Sequence, residues 1–290
     1  MRNIIFLLTE DLNFFYRINK ELKSLGIKFK IRNFRDKIPN FPSIIITTTK
    51  EIDKLPSFNK EKVVLIPYDG KKNLKRYVLK ILAAYEIEYK DQYSQLLFSV
   101  DPGTKKSGLT IFLERYYLYS HTVYNKSELI DKINLYVQAF QKEGTEELFL
   151  VFKIGRGLID LARDLVEDLL VQYKNRENIK FYLIDETKSS KLKIHEKKHH
   201  FSKHETSALV LALRDGIEVT CENYKLTFRI IKEKKIRKKK FKTNILNNSN
   251  NNTKKYFSTL RDIAEKLLDR ELTLDDSKER LENCNLKKMT

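Results

Sequence analysis

The sequence predicts an α/β protein: a small open-sheet domain, a mixed sheet, and a C-terminal helical hairpin. Three observations predict it. Short apolar runs of strand length alternate with stretches of helical period as far as about residue 217. Hydrophobic residues make up 41% of the 290, enough to close a core rather than leave the chain disordered. Beyond residue 217 the pattern changes to a basic run, an asparagine tract and then helical period alone.

Residues 1–90 form the first unit. Ile4 to Leu8, Ile27 to Ile31, Ser43 to Ile46 and Val63 to Ile66 are apolar runs of the kind found in buried parallel strands. Asp11 to Leu25 and Asn73 to Tyr85 carry apolar residues at helical spacing, and Gly26 follows the first as a stop. A phospho-receiver would want an acid at the end of the third strand. Thr47, Thr48 and Thr49 stand there, and Glu10 and Asp11 after the first strand have an ordinary role at a helix start. The unit is therefore expected to dock or scaffold.

Residues 91–217 form the second unit. Leu96–Val100, Leu109–Leu113 and Tyr117–Val123 read as a three-stranded meander. A helix from Ser127 to Gln141 follows, with Ser127 as its cap. Then come a strand from Glu147 to Ile154, a helix from Leu158 to Tyr173, a strand from Ile179 to Ile184 and a helix from Lys203 to Arg214, stopped at Gly216. Residues 218–252 are expected to be a basic and asparagine-rich linker. Residues 253–290 are expected to be an interaction hairpin of two short helices, Tyr256–Leu268 and Leu274–Leu281, the second opened by Thr273 and Asp276 as a capping pair.

The balance of 57 Lys+Arg against 39 Asp+Glu gives +18 and favours a polyanion, nucleic acid before an anionic membrane surface. No apolar run reaches the roughly 18 residues of a membrane helix, and the start lacks a secretory cleavage pattern, so a cytoplasmic, nucleoid-associated protein is expected. Cys221 and Cys284 are far apart and outside any CxxC, which argues against a disulfide scaffold or a thiolate zinc site.

Three carboxylate positions could carry chemistry. Asp101 ends an apolar strand and opens the turn Pro102-Gly103-Thr104-Lys105-Lys106-Ser107-Gly108. Asp185 and Glu186 end Tyr182-Leu183-Ile184. Glu205 lies in the first turn of His204-Glu205-Thr206-Ser207-Ala208-Leu209-Val210. Each has a bland alternative: a hairpin turn, a polar loop start, and an acid favoured by a helix dipole. Taken together, they are acids from separate segments at one predicted sheet edge. A two-metal site for in-line phosphoryl displacement needs about that many.

SVDPGTKKSG, LFLVFKIGRG, YLIDETKSS and HETSALVLALRDG, in that order and spacing, resemble the RuvC/YqgF-like branch of the ribonuclease H superfamily. The resemblance runs from Leu96 to Gly216, and the order βββαβαβα agrees with a ribonuclease-H-like sheet. It implies a nuclease in which Asp101 is the first-strand catalytic acid and Glu186 the acid after the fifth strand, with Asp185 beside it. Two departures stand out. The strand-four acid of RuvC-type resolvases is missing, Lys153 being the nearest polar residue. The last-helix acid, at Ser207 or His204 in the family pattern, is displaced to Glu205.

The resemblance implies Mg2+ (or Mn2+) held by Asp101, Glu186 and Glu205, assisted by Asp185 or His204. Lys105, Lys106, Lys153, Arg156, Lys188, Lys191 and Lys193 would position the backbone of branched DNA. Lys238, Lys239 and Lys240, within a run of eight basic residues from Lys232 to Lys242, would form a nucleic-acid arm. A junction enzyme would be expected to act as a homodimer. Processing of RNA is the close alternative, and a catalytically silent nucleic-acid-binding protein is the rival class. Two decoys carry less weight. His195-Glu196-Lys197-Lys198-His199 matches HExxH but sits in basic surroundings with no apolar stripe. The Asp101 loop resembles the phosphate loop of actin-like ATPases, but the second such loop is missing.

Overall fold

In the computed structural model, residues 4–286 are described except 72, 88, 91, 143, 145, 187–200 and 242–249; for 235–241, 250–257 and 284–286 the description is of the backbone alone. The chain divides into two compact units. One comprises Met1–Tyr93 with Asn134–Thr145, the other Ser94–Ile133 with Glu146–Thr290.

The first unit is built on strands β1 (Ile4–Leu7), β2 (Phe29–Ile31), β3 (Ser43–Thr48) and β4 (Val63–Tyr68), all parallel in the order β2-β1-β3-β4. All six residues of β3 are buried, the property that makes a central parallel strand read as an unbroken apolar run. Helix α1 (Leu12–Ser24) starts where the Asp11 carboxylate accepts the Phe14 N–H at 3.0 Å, and buries Phe14, Ile18 and Leu22 at four-residue spacing. It ends in a Schellman motif. Gly26, at φ 67°, donates to the Lys23 carbonyl, and Ile27 donates to that of Leu22. Helix α2 (Leu74–Glu86) starts on the Asn73 side chain, which accepts the Lys75 N–H at 2.9 Å. Phe14 stacks on Tyr68, and the Tyr77 hydroxyl donates to the Ile66 carbonyl at 2.5 Å.

In an open parallel sheet of this order the ligand crevice lies beyond the ends of β1 and β3, where the chain reverses its direction of travel across the sheet. Here the chain's own Glu51 occupies it. Its carboxylate accepts from the Thr9 hydroxyl at 2.7 Å, the Glu10 N–H at 2.6 Å and the Thr48 hydroxyl at 2.6 Å. Burial pushes this carboxyl up, but hydrogen bonds from Thr48, Glu10 and Thr9 together outweigh burial and hold it below its ordinary value.

The second unit contains a mixed six-stranded sheet. Its strands are β5 (Gln95–Asp101), β6 (Ser107–Leu113), β7 (Tyr116–Val123), β8 (Phe149–Gly155), β9 (Ile179–Ile184) and β10 (Gly216–Val219), in the order β10-β9-β8-β5-β6-β7. The β5-β8-β9 pairs are parallel and the other pairs antiparallel. Helices α3 (Lys126–Phe140), α4 (Ile159–Gln172) and α5 (Lys203–Ala212) follow β7, β8 and β9, in the expected sequence of elements, and the residues of α3 from Asn134 on belong to the first unit. Two local expectations change. Asn125, not Ser127, caps α3, because its side chain accepts the Glu128 N–H at 2.8 Å. Gly216 does not merely stop a helix; it opens β10, an edge strand that the residue pattern does not announce.

Residues beyond 217 also depart from expectation. Helix α6 (Tyr224–Phe241) occupies much of the expected linker and buries Phe228 and Ile231. Asn247, Asn248 and Ser249 of the asparagine tract lie outside the described residues, and Asn250 already begins helix α7 (Asn250–Leu268). Helix α8 (Leu274–Leu286) starts with the predicted pair: Thr273 donates its N–H to Asp276 at 3.0 Å and accepts the Asp276 N–H at 3.2 Å. The two helices do not stand apart as an interaction hairpin. Leu260, Ile263, Ala264 and Leu267 share one buried cluster with Leu209 and Val210 of α5 and Phe112 and Tyr117 of the sheet. Arg270, in the left-handed region at φ 61°, is held there by the Tyr117 carbonyl at 3.1 Å and lies over the Tyr117 ring. No helix among the described residues is long and apolar enough to cross a membrane.

Candidate active site

Strand register brings the acids to one edge. Val100 pairs with Ile154, and Gly155 pairs with Ile184, so β5, β8 and β9 end side by side. Asp101 closes β5, and Asp185 and Glu186 leave β9 at the same edge. Alternation fixes the face: Leu97, Ser99 and Asp101 point to one side of β5. Ser99 confirms that this is the α5 side, since its hydroxyl donates to the Ala208 carbonyl at 2.7 Å.

A cleft of about 550 Å3 lies there, lined by Asp101, Glu186, His204 and Ser207 and rimmed by Lys105, Lys106 and Lys203. His204 Nδ1 is 2.9 Å from Asp101 Oδ2. Asp101 is 7% exposed, and burial raises its pKa above the ordinary value against the hydrogen bond and charge of His204 and the charge of Lys203. Lys106 places its ammonium over the ring of Tyr124.

Glycines make room for these groups. A side chain on Gly108 would start 2.0 Å from the His204 carbonyl oxygen and 2.7 Å from the Glu205 nitrogen. Its absence lets the first turn of α5 press on the hairpin and bring His204 to Asp101. A Cβ at Gly157 would lie 1.9 Å from Glu186 Oε2, while the Gly157 N–H donates to Glu186 Oε1 at 2.6 Å. The Gly155-Arg156-Gly157 turn is thus the seat of the Glu186 carboxylate. The sequence signal for this seat is two glycines flanking one residue directly after an apolar strand.

Glu205 does not line the cleft. The Ser202 hydroxyl accepts the Glu205 N–H at 3.2 Å, Glu205 Oε2 accepts the Ser202 N–H at 2.9 Å, and Oε1 accepts the Thr122 hydroxyl at 3.0 Å. This is a capping box, and its Ser-x-x-Glu signature stands in the sequence at 202–205. Its carboxylate is engaged by the helix start and by Thr122. From the last helix it is His204 and Ser207 that line the cleft. Asp185 is ion-paired with Arg156 at 2.7 Å, and its carbonyl accepts from Arg214 at 2.6 Å, so both arginines brace the loop after β9.

Lys153 is placed differently from its expected role as a backbone contact. It is 4% exposed, on the α5 face of β8, and donates to the carbonyls of Ala212 at 2.7 Å and Arg214 at 2.5 Å. It closes the C-terminus of α5, a position that suits a cation. Burial lowers its pKa to about 7, helped by Lys278 and opposed by Asp215 and Asp275. Lys188, Lys191, Lys193 and the HExxH segment lie outside the described residues, and of Lys238, Lys239 and Lys240 only the helical backbone is described. Among the described residues no three His, Cys, Asp or Glu side chains stand close enough together to hold a metal ion by themselves. Comparison with protein-family models and with curated proteins finds no match for this chain.

Proposed function

We propose that the protein is a metal-dependent, structure-selective endonuclease with a ribonuclease-H-like second unit, hydrolysing phosphodiesters of branched DNA in recombination or repair. The observation that supports this reading is the delivery of Asp101 and Glu186, from two parallel strand ends, into one cleft rimmed by lysines. The donor chemistry fits a hard divalent cation. Magnesium is commonly held by one or two carboxylates, with substrate phosphate oxygens and waters completing its shell. Asp101 and Glu186 would hold Mg2+ or Mn2+; the third acid of a two-ion site is not supported, since Glu205 caps α5. When bound, such an ion activates water and offsets charge on the phosphoryl oxygens.

The chain's own groups perform the rest. Lys105, Lys106 and Lys203 draw a phosphate to the cleft mouth by charge. His204 fixes the Asp101 carboxylate through Nδ1, and its opposite ring nitrogen is the one able to exchange a proton with substrate. The Gly157 N–H orients Glu186. An enzyme of this kind would work as a homodimer on a symmetric junction.

A second reading, a silent nucleic-acid-binding protein of the same fold, is favoured by one observation: a buried lysine, Lys153, stands on the strand where junction resolvases carry an acid. Nicking of a synthetic four-way DNA junction with magnesium, set against the Asp101→Asn variant, separates the two. Cutting that needs the metal and disappears in the variant supports the enzyme. Binding without cutting, with magnesium or manganese, supports the silent protein and overturns the first reading. A structured RNA in the same assay reports whether RNA replaces DNA as substrate.

A further inference from the structure

The second unit has another concavity, a groove of about 370 Å3 between α4 and α6. Ile159 and Phe228, both buried, form its apolar floor, and Arg163 of α4 faces Lys225, Arg229 and Lys232 of α6 along its walls. Asp160 and Glu167 are the acids in the lining, and Asp164 and Glu233 stand beside it as partners of Arg163 and Arg229. The cations' ion pairs are exposed: Lys232 with Asp160 at 3.0 Å, Arg229 with Glu233 at 3.5 Å and Arg163 with Asp164 at 3.3 Å. Exposed pairs of this kind are weak, so a phosphate can replace the carboxylate partner at little cost.

Cleft and groove share the segment that opens α4. Leu158 lines the cleft, and the next residue, Ile159, lines the groove. Helix α6 then runs on as helical backbone through the basic stretch to Phe241. A polymer with one phosphate in the cleft carries further phosphates that such cations can take up; a small ligand does not.

We propose that the α4–α6 groove binds the sugar–phosphate backbone of the nucleic-acid arm that flanks the phosphate held in the cleft. This rests on the nuclease reading for what occupies the cleft, but its test needs no cutting. A fluorescein-labelled four-way DNA junction is titrated in calcium, over a range of salt, with wild-type protein and with Arg163→Gln/Arg229→Gln. Every phosphate that a side chain ceases to neutralise lowers the slope of log affinity against log salt by about one, so the groove pair is expected to lower it by about two. Arg163→Lys/Arg229→Lys, which keeps the charges, should restore it. Lys20→Gln/Lys23→Gln, on α1 of the other unit, should leave it unchanged.

An unchanged slope in the groove variant overturns the proposal, as does an equal fall in the α1 variant, which would mean unspecific charge. Displacement of the junction by poly-glutamate as readily as by DNA would assign the groove to an acidic protein and also overturn it. Cutting in magnesium with no effect of the groove variant would sink the groove alone. The expected slope change without any cutting would sink the catalytic reading alone.

Discussion

His204 Nδ1 and Asp101 Oδ2 lie 2.9 Å apart, joining the first turn of α5 to the end of β5 across 103 residues of sequence. The contact only partly offsets the burial of Asp101, whose pKa remains above the ordinary carboxylate value. A carboxyl with a raised folded-state pKa adds stability below its unfolded pKa and loses that contribution as pH rises through the folded value. Ionised Asp101 therefore weighs against the fold near neutrality. Asp101→Asn should raise the melting temperature at pH 7 while abolishing any metal-dependent cutting, and the gain should shrink as the pH falls into the carboxylate range. A lower melting temperature at pH 7 would mean that the His204 contact outweighs burial.

Lys153 titrates in the opposite sense. Its ammonium is disfavoured in the folded protein, with a pKa of about 7, whereas the unfolded chain has the ordinary value near 10.5. Between those values the unfolded state binds more protons, so stability should rise with pH, by at most about 1.4 kcal/mol per pH unit from this group. Below pH 7 both states are protonated and the contribution is flat. Urea midpoints measured from pH 6 to pH 9 should climb in the wild type and climb less in Lys153→Met. The difference between the two proteins isolates Lys153 from the other titrating groups, and parallel curves would refute the assignment.

Gly108 and Gly157 make contrasting predictions because different atoms crowd them. At Gly108 the obstacle is the backbone of His204 and Glu205, which cannot yield without moving α5. Gly108→Ala should cost about 1–3 kcal/mol or more in unfolding free energy. At Gly157 the obstacle is the Glu186 carboxylate, the far end of a flexible side chain. Gly157→Ala should cost less than about 1 kcal/mol, yet weaken manganese binding as much as Glu186→Gln does, and the two changes together should be no worse than either alone. Full additivity would show that the turn does not seat Glu186.

Much of this architecture could be read directly from residue patterns, for identifiable reasons. Ile44, Ile45 and Ile46 declare a buried parallel strand because both of their faces need covering. Gly26 declares the end of α1 because its φ of 67° suits a residue without Cβ. Asp101 and Glu186 were readable as a pair because one closes an apolar strand and the other follows one within two residues. Lys153 was not, because the sequence carries its alternation but not which face α5 covers, nor that α5 ends with two carbonyls above it. The docking of α7 was equally hidden: Leu260, Ile263 and Leu267 state that a face must be buried, without stating against what.

Glu205 offers the sharpest test of cap against ligand. A metal ligand must present a charged oxygen, so replacing it with an amide would remove the metal together with the activity. A cap needs only acceptors in place. Glu205→Gln keeps one carbonyl oxygen, which can still accept the Ser202 N–H, but it forfeits the favourable charge at the start of α5 and the bond accepted from Thr122. Loss of that charge costs about 0.3–1 kcal/mol and loss of a cap bond about 1 kcal/mol. The variant should therefore melt lower by a few degrees for a chain of this size. Its affinity for manganese, followed by the ion's paramagnetic resonance signal, should match the wild type, whereas Asp101→Asn should lose it. If Glu205→Gln instead melts like the wild type and no longer binds manganese, the carboxylate serves the cation rather than the helix.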